Sequence, residues 1–354
     1  MLDAIDWLQS DEPAGKIVEL RMADGEHALH APAAFDHRVT ASKVSLVAHE
    51  GTTATDSAAP RTTGRQLALA AAAGGLRRPV VLRAPQLSIQ SGAPPIAMRG
   101  LTFERSESAP PLTVTGGELE VESCSFLDNR ASAIYINGGV VRIRDAAFDR
   151  NGAPEVNGGA IAADAGEMTI EAALFTGCTA ASGGAIYAGG SARVWLREAV
   201  FANNTAGVAG GAISVSAIAD VQLAEHTLLR ENSAPDKGKL VAVDGQHARV
   251  SYVLPAPLGM WIPNTIEEQG DTKYVFAGSA DDEIFPFQCP PGVFGNSELP
   301  QHQSSPQCSG LCASSRIECN VLPSSTHYRL SLSTPVALSP NSLRPNTASV
   351  PSSR

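Results

Sequence analysis

The chain has 354 residues, of which 43% are apolar and only 5% aromatic. That is enough for a buried interior, but one poor in the large rings that fill a conventional globular core. The formal net charge is −10 and no basic cluster exceeds Arg77-Arg78, which excludes the electrostatic footprint of a nucleic-acid or anionic-lipid binder.

No apolar run reaches the roughly 20 residues of a membrane helix; the longest, Leu67 to Leu76, is interrupted by Gly74-Gly75. The N-terminal extension, residues 1–16, begins MLDAIDWLQSDEP and has neither the basic start nor the apolar stretch of a secretory signal. Taken alone it reads as cytosolic. From 17 onward, KIVELRMADGEHAL, KVSLVAHEG, PVVLRAPQLSIQSG and PIAMRGLTF each alternate apolar and polar residues and close on a turn, as irregular early coils of a solenoid do. Thr52 to Arg65 is a polar insertion between them. Residues 65–76 fit a short helix lying across the exposed first coil, since an uncovered solenoid end is an edge-strand liability. His27, His30, His37 and His49 also fall here, at spacings that match no metal motif.

The central third is repetitive. LEVESCSFLDN, VVRIRDAAFDRN, MTIEAALFTGC and VWLREAVFANN are alternating strands that close on Phe126, Phe148, Phe175 and Phe201, at spacings of 22, 27 and 26 residues. A fifth block, VQLAEHTLLREN, continues with Val221, Leu223 and Leu228. Period-2 alternation marks strands with one buried face, and a repeat near 25 residues suits one coil of three short strands. Three residues after each Phe stands Asn129, Asn151, Cys178 or Asn204, and Asn232 comes four after Leu228. Stacked Asn side chains can hydrogen-bond from coil to coil through their amides. The second recurring element is Gly158-Gly159-Ala160-Ile161, Gly183-Gly184-Ala185-Ile186 and Gly210-Gly211-Ala212-Ile213. It reads as a corner where glycine permits close backbone approach. A phosphate loop would need a following helix, and no helical period follows.

These features predict an all-β chain: a right-handed parallel β-helix over 17–254, with its clear repeats at 101–235. LVAVDGQHARVSYVL reads as the last coil. Residues 255–288 gather Trp261, Tyr274, Phe276, Phe285 and Phe287 among prolines and suggest a cap or packed junction. Four cysteines, Cys289, Cys308, Cys312 and Cys319, then crowd one Pro/Gly/Ser-rich stretch, residues 289–319, as in a small disulfide module from an oxidising compartment. Residues 320–354 are Ser/Thr/Pro-rich and aperiodic, the composition of a disordered tail. An oxidising compartment and a chain without a leader are reconciled if this is a piece of a longer protein.

The GGAI and FxxN signatures, in phase at Phe148/Gly158, Phe175/Gly183 and Phe201/Gly210, resemble the repeats of chlamydial polymorphic outer-membrane proteins, over roughly 120 to 235. The resemblance implies an extracellular or cell-surface β-helix and carries no shared catalytic residue, cofactor or metal. Cys289-Pro290-Pro291-Gly292, with Cys308-Ser309-Gly310-Leu311-Cys312, resembles the ephrin-receptor-like (GCC2/GCC3) modules of large ectodomains, departing from their pattern after Cys312. Four cysteines allow three pairings; Cys289 with Cys308 and Cys312 with Cys319 is one of them.

Two functions compete. The first is an ectodomain acting by contact with surface proteins or polysaccharide. The second is an enzyme on uronic-acid polymers, a lyase, hydrolase or epimerase, because pectate lyases, polygalacturonases and related epimerases share the β-helix and fold alone does not separate the two. Its catalytic candidates are Asp128, Asp145 and Asp149, with Asp164 and with Arg130, Arg144 and Arg150 nearby; a solvated outer face is the plainer reading of the same residues. Cys124 and Cys178 read as small buried or ladder residues. Asn203-Asn204-Thr205 is a glycosylation sequon on Asn203.

Overall fold

In the computed structural model the described residues are 8, 14–22, 25–28, 33–39, 41–48, 80–83, 86–268, 270–291, 293 and 303–308. Residues 65–76, where a helix is expected, and the segment from 320 onward lie outside them.

Alternating strands that pair in register with the next copy of themselves build three parallel sheets around one apolar interior. The first sheet runs through Ile17–Met22, Lys43–Ala48, Ile96–Arg99 and Glu118–Glu122, then the second halves of Ile134–Arg144 and Ile161–Glu171. It ends with Arg193–Arg197, Asp220–Ala224 and Arg249–Val253. The second sheet joins Ala33–Phe35, Leu87–Ile89, Leu112–Val114, the first halves of the same two long strands, Ile186–Ala188, Ile213–Ser216 and Val241–Asp244. The third, narrow sheet passes from Gly25–Ala28 and Val80–Arg83 through Leu101–Glu104, Ser125–Leu127, Ala147–Asp149, Leu174–Thr176 and Val200–Ala202 to Leu228–Arg230. The product is a parallel β-helix, wound in the right-handed sense that crossovers between twisted parallel strands adopt.

Corners set the shape of each coil. A single left-handed residue, Ser123, Asp145, Ala172 or Glu198, turns the chain from the first sheet into the third. A second, at Arg105, Asp128, Arg150, Gly177, Asn203 or Glu231, turns it out again. The third sheet is therefore only three residues wide in the central coils. Longer coils gain a fourth side, where Thr179–Ser182 pairs with Thr205–Ala209.

Inside the third sheet, Phe103, Phe126, Phe148, Phe175 and Phe201 stack with centroids 4.6 to 4.9 Å apart, the rise of one paired strand. The next residue in that column is Leu229, in register with Phe201, whereas Leu228 pairs with Val200. This corrects the alignment that places Leu228 in the Phe column. The cause is one extra corner residue: Glu225 and His226 are both left-handed, with φ of 35° and 61°. With the column on Leu229, Asn232 keeps the three-residue offset of the other coils.

That offset builds an amide ladder beneath the second corner. Asn129 Nδ2 donates to Asn151 Oδ1 and to the Phe103 carbonyl, at 2.8 and 3.1 Å. Asn204 Nδ2 donates in the same way to Asn232 Oδ1 and the Phe175 carbonyl, at 2.9 and 3.1 Å. Cys178 interrupts the ladder: it has no amide to continue the row, and its thiol faces the Phe148 and Thr176 carbonyls at 3.8 and 3.6 Å.

The Gly-Gly-Ala-Ile corners tolerate no side chain. A Cβ on Gly183 would stand 2.1 Å from the Ile186 carbonyl oxygen, and one on Gly184 would stand 2.1 Å from that of Gly211.

The C-terminal end is closed by antiparallel pairing. Asp271–Val275 runs against the last strand of the first sheet, and Ile284–Phe285 against Leu228–Arg230. Tyr252, Tyr274, Phe276, Phe285 and Phe287 meet there in tilted and edge-on contacts. Gln303, fully buried, donates from Nε2 to the carbonyls of Ala256, Pro257 and Met260 and accepts from the Ala256 N–H.

Candidate functional surface

Parallel, in-register coils place outward side chains in rows along the rod, and the broad first sheet carries three such rows. Opposite charges on neighbouring coils meet in them: Arg99 with Glu122 at 2.9 Å, Arg144 with Glu171 at 3.4 Å, Arg193 with Glu167 at 3.5 Å and Arg197 with Glu225 at 2.8 Å. These pairs are solvated, so each is worth at most about 1 kcal/mol; they leave the face charge-balanced rather than strongly stabilised. Trp195, 38% exposed, stands among them in register with Thr169 and Gln222.

The three catalytic candidates are not gathered into one site. Asp128 and Asp149 lie at the second corner, and both are taken by one guanidinium. Arg150 donates from Nε and one terminal nitrogen to Asp128 at 2.8 and 3.0 Å, and from the other to Asp149. The hydrogen bonds to Asp128 push the Arg150 pKa further up. Asp149 also accepts from Thr176 Oγ1 at 3.0 Å. Asp145 occupies the first corner, at the opposite end of the strand Ala147–Asp149. Arg130 pairs with Glu107, away from this fork.

Asp164 belongs to a different arrangement, on the outer side of the second sheet. Two rows run side by side there. In one, Tyr135, Ala162, Tyr187, Ser214 and Ala242 follow each other on successive coils, so large rings alternate with small residues. Two positions further along the strands lie Asp164, Gly189, Ser216 and Asp244, while Asn137 is shifted by a bulge that pairs it with Ala165. Each tyrosine leans across to the polar row of the next coil: Tyr135 Oη donates to Asp164 Oδ2 at 2.9 Å, and Tyr187 Oη shares a 2.9 Å hydrogen bond with Ser216 Oγ. Partial burial and the Asp164 carboxylate push the Tyr135 phenol above its ordinary value, so it remains a donor. Gly189 carries no side chain between Asp164 and Ser216, and the Tyr187 ring packs over it; a Cβ there would stand 2.8 Å from that ring and 3.1 Å from Asp164 Oδ1. The tyrosines escaped the sequence reading although a signal exists: Ala133-Ile134-Tyr135 and Ala185-Ile186-Tyr187 place a Tyr directly after the repeat's Ile.

The remaining candidates have plain positions. Cys124 and Cys178 are buried thiols, pushed up to about 12 by burial. Cys289 and Cys308 form a disulfide with Cα atoms 6.2 Å apart; Cys312 and Cys319 lie outside the described residues. Asn203 is exposed at its left-handed corner, while Asn204 beside it is buried in the ladder. Among the described residues no group of His, Cys, Asp and Glu is arranged to hold a metal ion, and no helix is long and apolar enough to cross a membrane. A cleft of about 360 Å³ beside the cap is lined by Tyr274, Phe276, Asp281 and Asp282. The cap aromatics otherwise spend their faces on each other.

Residues 198–216 match a family model described as the Chlamydia polymorphic membrane protein (Chlamydia_PMP) repeat. The match spans the third-sheet strand with Phe201, the buried Asn204, the Gly210-Gly211 corner and the strand Ile213–Ser216, most of one coil. No curated protein and no solved structure matches the chain.

Proposed function

We propose that this chain is the β-helical part of a cell-surface or secreted protein and acts by contact through its exposed sheet faces, with residues 289–319 as a Cys-rich unit following the rod. One observation carries the reading: the polymorphic membrane protein repeat at 198–216 is a coil of a continuous stack whose outward residues form long, solvated rows. The Cys289–Cys308 disulfide adds support, because such bonds persist in oxidising compartments. Asn203 is the position where an N-glycan would be carried.

The rival, a uronan lyase or hydrolase, needs a free base or a carboxylate pair flanking the scissile bond. Asp128 and Asp149 instead share Arg150, which favours contact over catalysis. The test has two arms. An antibody to the rod should label intact source cells as strongly as permeabilised ones, or find the protein in the medium; labelling only after permeabilisation sinks the surface reading. Purified protein should generate no unsaturated or reducing ends from pectin or alginate. Turnover abolished by Asp128→Asn or Asp149→Asn would establish the enzyme instead.

A further inference from the structure

Proteins that hold sugars combine flat aromatic rings, which cover the apolar faces of pyranose rings, with a few placed hydroxyls and carboxylates that exchange hydrogen bonds with the sugar hydroxyls. The two rows on the second sheet supply both, side by side, along one line of the rod. We propose that the face formed by Tyr135, Asp164, Tyr187 and Ser216 binds an extended neutral oligosaccharide lying parallel to the rod axis. This rests on the reading of the chain as a surface contact protein and names the class of partner for one face.

Spacing is the first reason. The two tyrosines are two coils apart, on the order of 10 Å at the rise of paired strands, with the floor between them lowered to Ala162. A sugar chain presents its flat faces at intervals, and a platform with rings at alternate coils meets such a ligand without bending it. The second reason is the polar row. Asp164, Ser216 and Asp244 offer both donors and acceptors on three coils, and the Tyr135 and Tyr187 hydroxyls stand beside them. The third reason is charge. Asp164 and Asp244 are the charged groups of that row, and the whole chain carries −10. A uronic-acid polymer would bring carboxylates against carboxylates, whereas a neutral chain meets hydrogen-bond acceptors at no Coulombic cost. The first sheet lacks this combination: its outward face carries a single ring, Trp195, among Arg and Glu side chains paired across coils.

The experiment is calorimetric titration of the purified chain, at physiological ionic strength, with cellohexaose, chitohexaose and maltohexaose, and with hexagalacturonate as the charged comparison. At least one neutral hexasaccharide is expected to bind, and hexagalacturonate is not. Tyr187→Ala is expected to weaken binding about tenfold or more, the size of a lost ring contact with its hydrogen bond. Ser216→Ala, which keeps both rings and removes one hydroxyl of the polar row, should weaken it severalfold. Binding that survives both substitutions, binding of hexagalacturonate as tight as that of the neutral sugars, or no heat from any neutral hexasaccharide overturns the proposal. If the sugars fail while intact cells are labelled, this inference falls alone; if intact cells are unlabelled, the surface reading has failed whatever the sugars do.

Discussion

Between Phe103 and Phe201 five rings stack nearly parallel, with interplanar angles of 4° to 8°. Beyond Val253 the same kind of side chain meets at 40° to 82°. The coils repeat a residue at a fixed offset, so each ring, amide and glycine contacts its own copy one rung away. The cap turns the chain antiparallel, and copies no longer meet; Phe285 packs instead against Tyr252, Tyr274, Phe276 and Phe287. Order in the rod is thus translational and order in the cap is particular. A single change should spread along the rod through matching neighbours but stay local in the cap.

The hardest blow to that contrast is a methyl at a corner. Gly184→Ala puts Cβ against the backbone of the next coil and should cost roughly 3 kcal/mol or more. Gly278→Ala in the cap, where nothing lies within 4 Å, should move stability by no more than about 0.5 kcal/mol. Denaturant midpoints decide both. Next comes the ladder: Asn204→Ala strips the partners of Asn232 and of the Phe175 carbonyl and should cost about 2 to 3 kcal/mol in the same measurement. Gln303→Ala should cost about 1 to 2 kcal/mol, read as faster hydrogen exchange in residues 256–262 with the central coils unchanged. Faster exchange throughout the rod would erase the distinction between the two regions. The last effect has the opposite sign. Cys178→Asn restores an amide to the interrupted ladder and should raise stability by about 1 kcal/mol; a fall would mean that the site is too tight for the larger side chain.

The stack was legible in the sequence for the same reason that it is stable. In-register pairing demands the same residue at the same offset, and Phe126, Phe148, Phe175 and Phe201 display that demand openly. Where a corner gains a residue, as at Glu225-His226, the offset shifts and the column is misread by one. Phe103 was visible only as part of an irregular early segment, because Ser106 stands where the later coils have Asn or Cys. The tyrosine face was half legible: Asp164 stood out as a carboxylate, but each tyrosine bonds to a partner one coil later, 29 residues along the chain. No short window contains both. The cap has no period at all, so composition announced its aromatics and nothing announced their antiparallel pairing.

The antiparallel closure also bears on how such a rod changes length. A coil duplicated between Phe148 and Phe201 would find on both sides the Phe and the Gly-Gly corner it already fits, and its outward row would simply extend. A coil added after Val253 would meet the strand Asp271–Val275 running the wrong way. Lengthening by recombination is therefore excluded at the C-terminal end, and each interior duplication lengthens the outer rows by one rung while the closed end stays as it is.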